Sequence, residues 1–308
     1  MDEEDSNKKS LGYSLLYAVT YLFALLPFSV LYVFSDILYF IVYYIVRYRR
    51  KIVRKNLNKS FPEKSEKKII EIEKEFYHHL CDCYFEAIKL LNISEEEIKR
   101  RMKFVNPEII ERLTVSGNSC ILGLGHFANW EWVSSIILHL ESRIKLGFLY
   151  KELHSRAFDQ LFMKMRSGFG GVPIEKFSAF RRMVQYKQEG QAMLVGFLSD
   201  QRPPEKVNQY WTKFLNQDTN VQNGMERIAK HLGCSIVYLD IKKVKRGYYV
   251  AKIFVITPDA TDEPDNVIME RYIRKLEESV TRDPALYLWS HNRWKFKKPT
   301  QLDGNNQN

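Results

Sequence analysis

The sequence predicts an α/β fold in which helices flank a mixed β-sheet, behind an N-terminal membrane-anchoring helical segment. Two observations lead to this prediction. From residue 119 onward, short apolar runs alternate with stretches of helical periodicity, which is typical of a sheet covered by helices. Between Leu11 and Val46 the only formally charged residue is Asp36, and a helix of that length exceeds the ~30 Å hydrocarbon core of a bilayer.

The N-terminal segment, residues 1–55, is predicted to be a membrane anchor with a basic flank. Pro27 interrupts the apolar run, which favours a kinked helix, or one span followed by an interfacial helix. The acidic residues 1–5 and the length of the run argue against a cleaved signal peptide. The cations from Arg47 to Lys55 are typical of a cytoplasmic flank that attracts anionic lipid. The alternative is a buried helical hairpin of a soluble protein.

Residues 56–118 are predicted to form a helical layer. This stretch is highly charged, and Pro62 and Pro107 divide it. Its apolar residues recur at the spacing of an amphipathic helix, as in Ile69, Ile70, Ile72, Phe76 and Leu80.

Residues 119–298 are predicted to be the α/β domain, and the polar residues 299–308 a disordered tail. The predicted strands are Ser119–Gly125, Ile144–Tyr150, Val172–Ile174, Ala192–Leu198, Ser235–Val244 and Tyr248–Ile256. The predicted helices are Ala128–Leu140, His154–Ser167, Ser178–Gln188, Val221–Leu232 and Val267–Val280. The last two strands flank Lys245–Gly247 and are expected to form a hairpin.

The charge balance favours an anionic partner. Forty-seven Lys and Arg against 37 Asp and Glu leave a formal charge of +10, which suits nucleic acid, phospholipid headgroups or an acidic carrier protein. The apolar N-terminus favours the lipid bilayer, so nucleic acid is not an expected partner. The chemistry is expected to need no metal and to occur in a reducing compartment, because the cysteines are few and scattered: Cys81, Cys83, Cys120 and Cys234. No cofactor is expected, and the sequence contains no Walker loop or dinucleotide fingerprint.

The sharpest candidate for chemistry is the segment Gly125–Glu131, where an apolar strand turns into a helix. His126 would lie at the strand end, and Glu131 would lie in the first helical turn. The carboxylate could then hold one imidazole nitrogen while the other nitrogen faces a substrate, which is the arrangement needed to deprotonate a hydroxyl. Histidine and glutamate also occur at this spacing by chance as structural residues, so the rest of the sequence has to decide.

Further motifs follow in a recognisable order. They are Tyr150–His154, Lys164–Gly170, Gly190-x9-Asp200-Gln201, and, nearer the termini, Leu26–Pro27, Arg54-x-Asn56, Phe61–Glu63 and Leu288–Lys295. Together with His126-x4-Glu131, this series resembles the bacterial lipid A biosynthesis (lauroyl or myristoyl) acyltransferases, which belong to the lysophospholipid acyltransferase superfamily. The resemblance covers nearly the whole chain and implies a glycerolipid acyltransferase-like fold, with residues 119–298 as the acyltransferase domain.

The resemblance also implies an activity and a set of site residues. The donor would be an acyl carrier protein or coenzyme A thioester, and the acceptor a hydroxyl of a membrane glycolipid such as a lipid A precursor, acylated in the cytoplasm at the bacterial inner membrane. His126 would be the general base and Glu131 its orienting partner, with Arg166 and Asp200 as substrate-binding residues. Arg166 could pair with a phosphate through its planar guanidinium, and Asp200 would follow the strand Ala192–Leu198.

Several alternatives remain open at this stage. The acceptor could instead be a lysophospholipid, an aminolipid or a mannosylated inositol lipid, and a protein of another class would be a noncatalytic membrane-tethered binding protein with a basic face. Arg202–Pro204 departs from the glycine-containing continuation that is usual in the family, which leaves the acceptor contacts open. His78 and His79 point to different helix faces and are not expected to bind metal. The aromatic and basic cluster Trp289–Trp294 is expected to be core packing with a basic rim.

Overall fold

The computed structural model describes residues 11–115, 117–204 and 209–298; the predicted tail lies outside these residues. Four helices build the N-terminal part: α1 (Leu11–Leu25), α2 (Phe28–Phe40), α3 (Arg50–Ser60) and α4 (Glu66–Ile88). Pro27 separates α1 from α2, because a proline cannot donate the backbone hydrogen bond that would continue α1. A π-helix, Ile41–Ile45, extends α2. Phe28–Ile45 is the one described helix that is long and apolar enough to cross a membrane.

Charged side chains attach α2 to the rest of the protein. Arg246, in the turn between the last two strands, donates hydrogen bonds at 2.6 Å both to Asp36 of α2 and to Asp82 of α4. His78 lies 2.9 Å from Asp36, and Ser35 donates to Asp82 at 2.7 Å. Burial alone would raise the pKa of Asp82, but the hydrogen bonds from His78, Arg246 and Ser35 hold it well below its usual range. We call Asp36, Asp82 and Arg246 the anchor clamp.

Seven strands form one mixed sheet in the order β1-β9-β8-β2-β5-β3-β4. These strands are β1 (Met102–Val105), β2 (Cys120–Leu124), β3 (Lys145–Tyr150), β4 (Val172–Glu175), β5 (Met193–Leu198), β8 (Ser235–Lys245) and β9 (Tyr248–Thr257). β8 and β9 pair antiparallel, and the other neighbouring strands pair parallel. A separate hairpin joins β6 (Gln209–Phe214) to β7 (Gln217–Gln222). The predicted α/β class, a mixed sheet flanked by helices, is confirmed.

Helices and buried side chains cover the sheet. The remaining α-helices are α5 (Glu95–Arg101), α6 (Glu108–Leu113), α7 (Arg156–Arg166), α8 (Ala179–Gln188), α9 (Gly224–Leu232) and α10 (Val267–Arg282). Every residue of β2 is buried, which requires cover on both faces of the central strand. Tyr272 of α10 is fully buried and donates a hydrogen bond at 2.6 Å to the carbonyl oxygen of Leu124. α10 therefore fixes the end of β2, where the candidate site begins.

Three local predictions differ from the structure. Residues 56–118 include a strand, β1, which pairs with β9 and so belongs to the sheet. The predicted helix Ala128–Leu140 is instead a 3₁₀-helix, Trp130–His139. The predicted helix from Val221 begins only at Gly224, because the preceding residues pair with β6 in the hairpin.

Candidate active site

The register of two parallel strands brings His126 and Asp200 together. Leu124 and Leu198 are the last residues of β2 and β5, and they are partners in the register of these neighbouring strands. His126 and Asp200 each lie two residues beyond their strand, so both side chains emerge at the same edge of the sheet. This is the edge, outside the carboxyl ends of parallel strands, where open α/β sheets collect their functional residues.

The Asp200 carboxylate holds His126 at two points. One oxygen lies 2.7 Å from the ring nitrogen Nδ1, and the other accepts a hydrogen bond from the His126 backbone N–H at 3.1 Å. The Asp200 side chain is only 2% exposed. Burial alone would raise the pKa of Asp200, but the charge and hydrogen bonds of His126 lower it below the usual value. The carboxylate therefore stays ionised at neutral pH, and it favours the imidazole tautomer with its proton on Nδ1.

The loop that carries His126 is held by backbone contacts with the segment before Trp289. The Leu288 N–H donates to the His126 carbonyl at 3.0 Å, and the Ala128 N–H donates to the Leu286 carbonyl at 2.9 Å. Ala128 adopts a left-handed conformation with φ 51°, which an alanine reaches only when its surroundings impose it. These contacts hold the loop in a single geometry.

A buried glutamate connects the same loop to α2. Glu86 of α4 accepts hydrogen bonds from Asn129 at 2.7 Å, from Tyr249 at 2.8 Å and from Tyr32 of α2 at 3.0 Å. Burial raises the pKa of Glu86. Asn129 also caps the following 3₁₀-helix, because its side-chain oxygen accepts from the Trp132 N–H at 3.1 Å. The buried Glu86 thus binds both helix α2 and the loop after β2.

The second ring nitrogen of His126 faces Gln201. The amide nitrogen Nε2 of Gln201 lies 3.1 Å from Nε2 of His126, and the Trp130 ring stands edge-on to the imidazole at 5.4 Å between centroids. With Nδ1 protonated, Nε2 of His126 is an acceptor, which is the state of a base ready to take a proton. Gln201 occupies the position from which a substrate hydroxyl would approach this nitrogen.

Glu131 and Arg166 form a two-pronged ion pair next to His126. Nε of Arg166 donates to one Glu131 oxygen at 2.8 Å and Nη2 donates to the other at 2.6 Å, while Trp130 Nε1 donates to Glu131 at 3.1 Å. Burial would raise the pKa of Glu131, but the hydrogen bond and charge of Arg166 lower it. The carboxylate and the guanidinium therefore both remain charged, in a fixed relative orientation.

The prediction of which carboxylate holds the His126 ring is therefore wrong. Glu131 was expected to hold the imidazole, but Asp200 does so, and Glu131 holds Arg166. The reason is local: the chain makes a loop through Ala128 before the 3₁₀-helix begins at Trp130, so Glu131 does not follow His126 in one regular helical turn. Gln201 is a neighbour of the ring that was not predicted. The available signal for the partner of His126 was that β2 and β5 are each followed, two residues after their ends, by a polar residue, His126 and Asp200.

An apolar cavity opens beside this ion pair. Glu131 and Arg166 provide its charged lining residues, and the rest of its wall comes from the 3₁₀-helix and from three neighbouring strands. Those residues are Leu122, Leu124, Trp130, Val133, Ser134, Leu146, Gly147, Phe148, Leu149, Gly196 and Leu198. A side chain at Gly147 would meet Ile174 at 2.7 Å, so glycine allows close packing behind this wall. The wall is apolar apart from the charged pair, which suits contact with an alkyl group.

The other sequence candidates lie away from these residues or serve packing. His79 contacts Cys83 at 3.3 Å, and burial lowers its pKa to about 3. Trp289 is fully buried, as predicted for core packing, but Arg293 is also buried and donates to Asn220. The basic rim expected at this position is therefore part of the interior.

Comparison with known proteins identifies the family of the chain. A search of curated proteins finds no match to the chain. The family model described as "Bacterial lipid A biosynthesis acyltransferase" matches residues 4–296, which is nearly the whole chain. A match of that extent includes the N-terminal helices, every strand of the sheet and all four candidate site residues. The chain therefore belongs to the bacterial lipid A biosynthesis acyltransferase family, and it is an acyltransferase that uses an acyl donor and a lipid acceptor.

Proposed function

We propose that this enzyme transfers a fatty acyl chain from an acyl carrier protein or coenzyme A thioester to a hydroxyl group of a lipid A precursor. The observation that carries the proposal is the His126–Asp200 pair, whose imidazole contacts Trp130, a residue in the wall of the apolar cavity. A base and a water-shielded alkyl site are the two requirements for acylating a lipid hydroxyl. The family supports lipid A as the product class.

In the proposed mechanism, His126 removes the proton of the acceptor hydroxyl. Asp200 keeps the ring in the tautomer whose Nε2 is unprotonated, and its charge stabilises the imidazolium that forms. The hydroxyl displaces the Gln201 amide from Nε2 and attacks the thioester carbonyl directly. Collapse of the tetrahedral intermediate releases the thiolate, which recovers the proton from His126. One C–O bond forms and one C–S bond breaks.

Arg166 is proposed to stabilise the negative charge that develops on the thioester oxygen. Its Nε and Nη2 bind Glu131, so the pair fixes the plane of the guanidinium, and Nη1 is assigned to the substrate oxygen. Glu131 therefore acts as a positioning residue for Arg166, and the acyl chain extends into the apolar cavity. A preorganised donor of this kind is more effective than a mobile one because it needs no reorientation during the reaction.

Arg166→Ala is expected to lower kcat/KM for acyl transfer by about 10²-fold, the usual loss for removal of one donor to an oxyanion. Arg166→Lys is expected to restore only part of this loss, because an ammonium keeps the charge but cannot bind Glu131 at two points. Steady-state kinetics with a soluble acyl thioester measure both. Arg112→Ala, at an exposed arginine of α6, is the matched control. Equal activity of wild type and Arg166→Ala below saturation would remove Arg166 from the mechanism.

We also propose that α1 and α2 anchor the protein in the bacterial inner membrane, with the catalytic domain in the cytoplasm. Only 22% of Phe28–Ile45 is buried, whereas a core helix of a soluble protein is mostly buried. Exposed apolar side chains cover both helices: Leu15, Val19, Leu22, Leu25, Val30, Val33, Phe34, Ile37, Phe40 and Ile41. The basic residues of α3 follow immediately and favour an anionic cytoplasmic surface.

The full-length protein is therefore expected to sediment with membranes and to remain there after a high-salt wash. The variant Val33→Asp/Ile37→Asp is expected to be released, because both positions are exposed on the apolar surface and a charged carboxylate there opposes contact with hydrocarbon. Val244→Asp, at an exposed apolar residue of β8, is the control. Recovery of the unmodified protein in the soluble fraction at low salt would contradict the anchor.

The proposed function is tested with purified protein in detergent or vesicles. It receives acyl carrier protein thioesters or coenzyme A thioesters of several chain lengths, each with a lipid A precursor or with a lysophospholipid. Mass spectrometry should show the mass increase of one acyl chain on the lipid A precursor. Acylation of the lysophospholipid alone would overturn the proposed acceptor, and no acylation by the wild type with any pair would overturn the donor and acceptor together.

A further inference from the structure

A second cavity adjoins the candidate active site at Gln201. Its wall includes three cationic residues, Lys151, Lys176 and Arg202, together with Gln201 itself. No carboxylate occurs among the lining residues in the part of the chain that the structure describes. We call the three cations and the space between them the basic cavity. It shares Gln201 with the His126 site, so a ligand bound there lies next to the reacting atoms.

The sheet topology explains why the three cations lie together. Lys151 directly follows β3, Lys176 directly follows β4, and Arg202 follows β5 after a short link. β4, β3 and β5 are neighbouring parallel strands, so their carboxyl ends share one edge of the sheet. The basic cavity therefore occupies the edge at which open α/β sheets bind ligands, on the β4 side of His126.

Hydrogen bonds position two of these cations without cancelling their charge. Lys176 Nζ donates to the Gln222 side-chain oxygen at 3.2 Å, and Arg202 Nη1 donates to the Asn292 carbonyl at 3.2 Å. Both acceptors are neutral. The Arg202 guanidinium also lies over the Phe296 ring, 4.8 Å from its centroid. Burial and, to a smaller extent, the like charge of Lys151 lower the pKa of Lys176. An anion bound near both lysines would offset this effect of their like charges.

Two helix N-termini border the cavity. Ala179 and Gly224, the first residues of α8 and α9, line the same cavity. The first backbone N–H groups of a helix have no partners inside the helix, and together with the helix dipole they attract anions. At α8 the Ser178 N–H already donates to the Glu175 carboxylate at 2.9 Å, so the cavity combines three side-chain cations with the N-terminus of α9.

We propose that the basic cavity binds a phosphate group of a substrate while His126 acts on the hydroxyl. Arg166 binds Glu131 through Nε and Nη2, and its Nη1 is assigned to the thioester oxygen, so recognition of a phosphate falls to Lys151, Lys176 and Arg202. The phosphate belongs either to the carrier arm of the thioester donor or to a phosphorylated acceptor lipid. Only the question of which substrate carries the phosphate rests on the proposed function. The proposed anion site itself does not rest on it.

Binding is tested first with inorganic pyrophosphate and the full-length protein, by isothermal titration calorimetry. The wild type should bind pyrophosphate, and Lys151→Gln/Lys176→Gln should bind roughly tenfold more weakly or not at all, because the charge-assisted hydrogen bonds are lost. The control Lys103→Gln, at an exposed lysine of β1 on the opposite edge of the sheet, should bind like the wild type. The single variant Lys151→Gln, at an exposed residue, is included in case the double variant misfolds. Equal affinity of all four proteins would overturn the proposal, as would no binding by the wild type.

Kinetics then identify the source of the phosphate. In the donor arm, an acyl coenzyme A is compared with the acyl pantetheine that lacks phosphate; in the acceptor arm, a phosphorylated glycolipid is compared with its phosphatase-treated form. The wild type should prefer the phosphorylated member of one pair by roughly tenfold or more, and Lys151→Gln/Lys176→Gln should lose that preference. Preferences that the substitutions leave unchanged would overturn the substrate role. Pyrophosphate binding that depends on the two lysines, without acyl transfer by the wild type, would uphold the anion site and refute the proposed function.

Discussion

His126→Ala is expected to lower kcat for acyl transfer by about 10²- to 10⁴-fold, the usual contribution of a general base. The reason is geometric. Asp200 holds Nδ1 at 2.7 Å, so Nε2 is the nitrogen available to take a proton. Steady-state kinetics with saturating thioester and lipid acceptor measure the loss, because a missing base affects the chemical step more than substrate binding.

Stability has to be followed in parallel, because removing the ring leaves the buried Asp200 carboxylate with one fewer donor. His126→Gln is the second variant, since its amide can still donate a hydrogen bond but cannot act as a base. His231→Ala, at an exposed histidine of α9, is the control. Both His126 variants should keep their membrane association and lose turnover. Substantial activity in either one would refute His126 as the base.

Asp200→Asn is expected to lower kcat by a similar factor, about 10²- to 10⁴-fold. An asparagine amide that donates to Nδ1 would move the ring proton to Nε2, where it blocks the approach of the hydroxyl. The double variant His126→Ala/Asp200→Asn should be little worse than His126→Ala alone, because a positioning residue has no effect once the base is gone. Additive losses on a logarithmic scale would show that the two residues act independently.

The same cycle with Glu131 distinguishes the two possible partners of the base. The structure joins Glu131 to Arg166, so Glu131→Gln is expected to be coupled to Arg166→Lys and to combine more nearly additively with His126→Ala. Strong coupling of Glu131 to His126, together with weak coupling of Asp200 to His126, would instead support the pairing of Glu131 with His126 that sequence spacing suggests.

Much of the fold could be predicted because the central strands are recognisable from their amino-acid sequence. β2 and β5 are continuous apolar runs, as expected for strands that are covered on both faces. The strands that were missed carry a weaker signal. β1 is only four residues long and lies within a charged helical stretch, and β7 is polar along most of its length. Pairing with β9 makes β1 a strand, and pairing with β6 makes β7 a strand. Such pairing is not visible in local composition.

Prediction from sequence has the same limit for the individual residues of the candidate site. The sequence identifies His126 and Asp200 as polar residues at strand ends, but the contact between them depends on the pairing of Leu124 with Leu198. Spacing along the chain favoured Glu131 instead, because that argument assumed a regular helix directly after the strand. The left-handed residue Ala128 and the 3₁₀-helix redirect the chain there. Parallel register, and not proximity in sequence, decides which carboxylate meets the imidazole.

Under the proposed membrane anchorage, the anchor clamp leads to an expectation about which hydroxyl is acylated. Asp36 and Asp82 bind the same Arg246, and Glu86 joins Tyr32 of α2 to the loop after His126, so hydrogen bonds connect the apolar helix to the loop that carries the proposed base. A lipid acceptor keeps its existing chains in the bilayer, so each of its hydroxyls lies at a set height above the hydrocarbon. A base attached to the proposed anchoring helix would reach hydroxyls at one height above the membrane. We therefore expect the choice of hydroxyl to depend on its height above the membrane as well as on contacts with the acceptor headgroup.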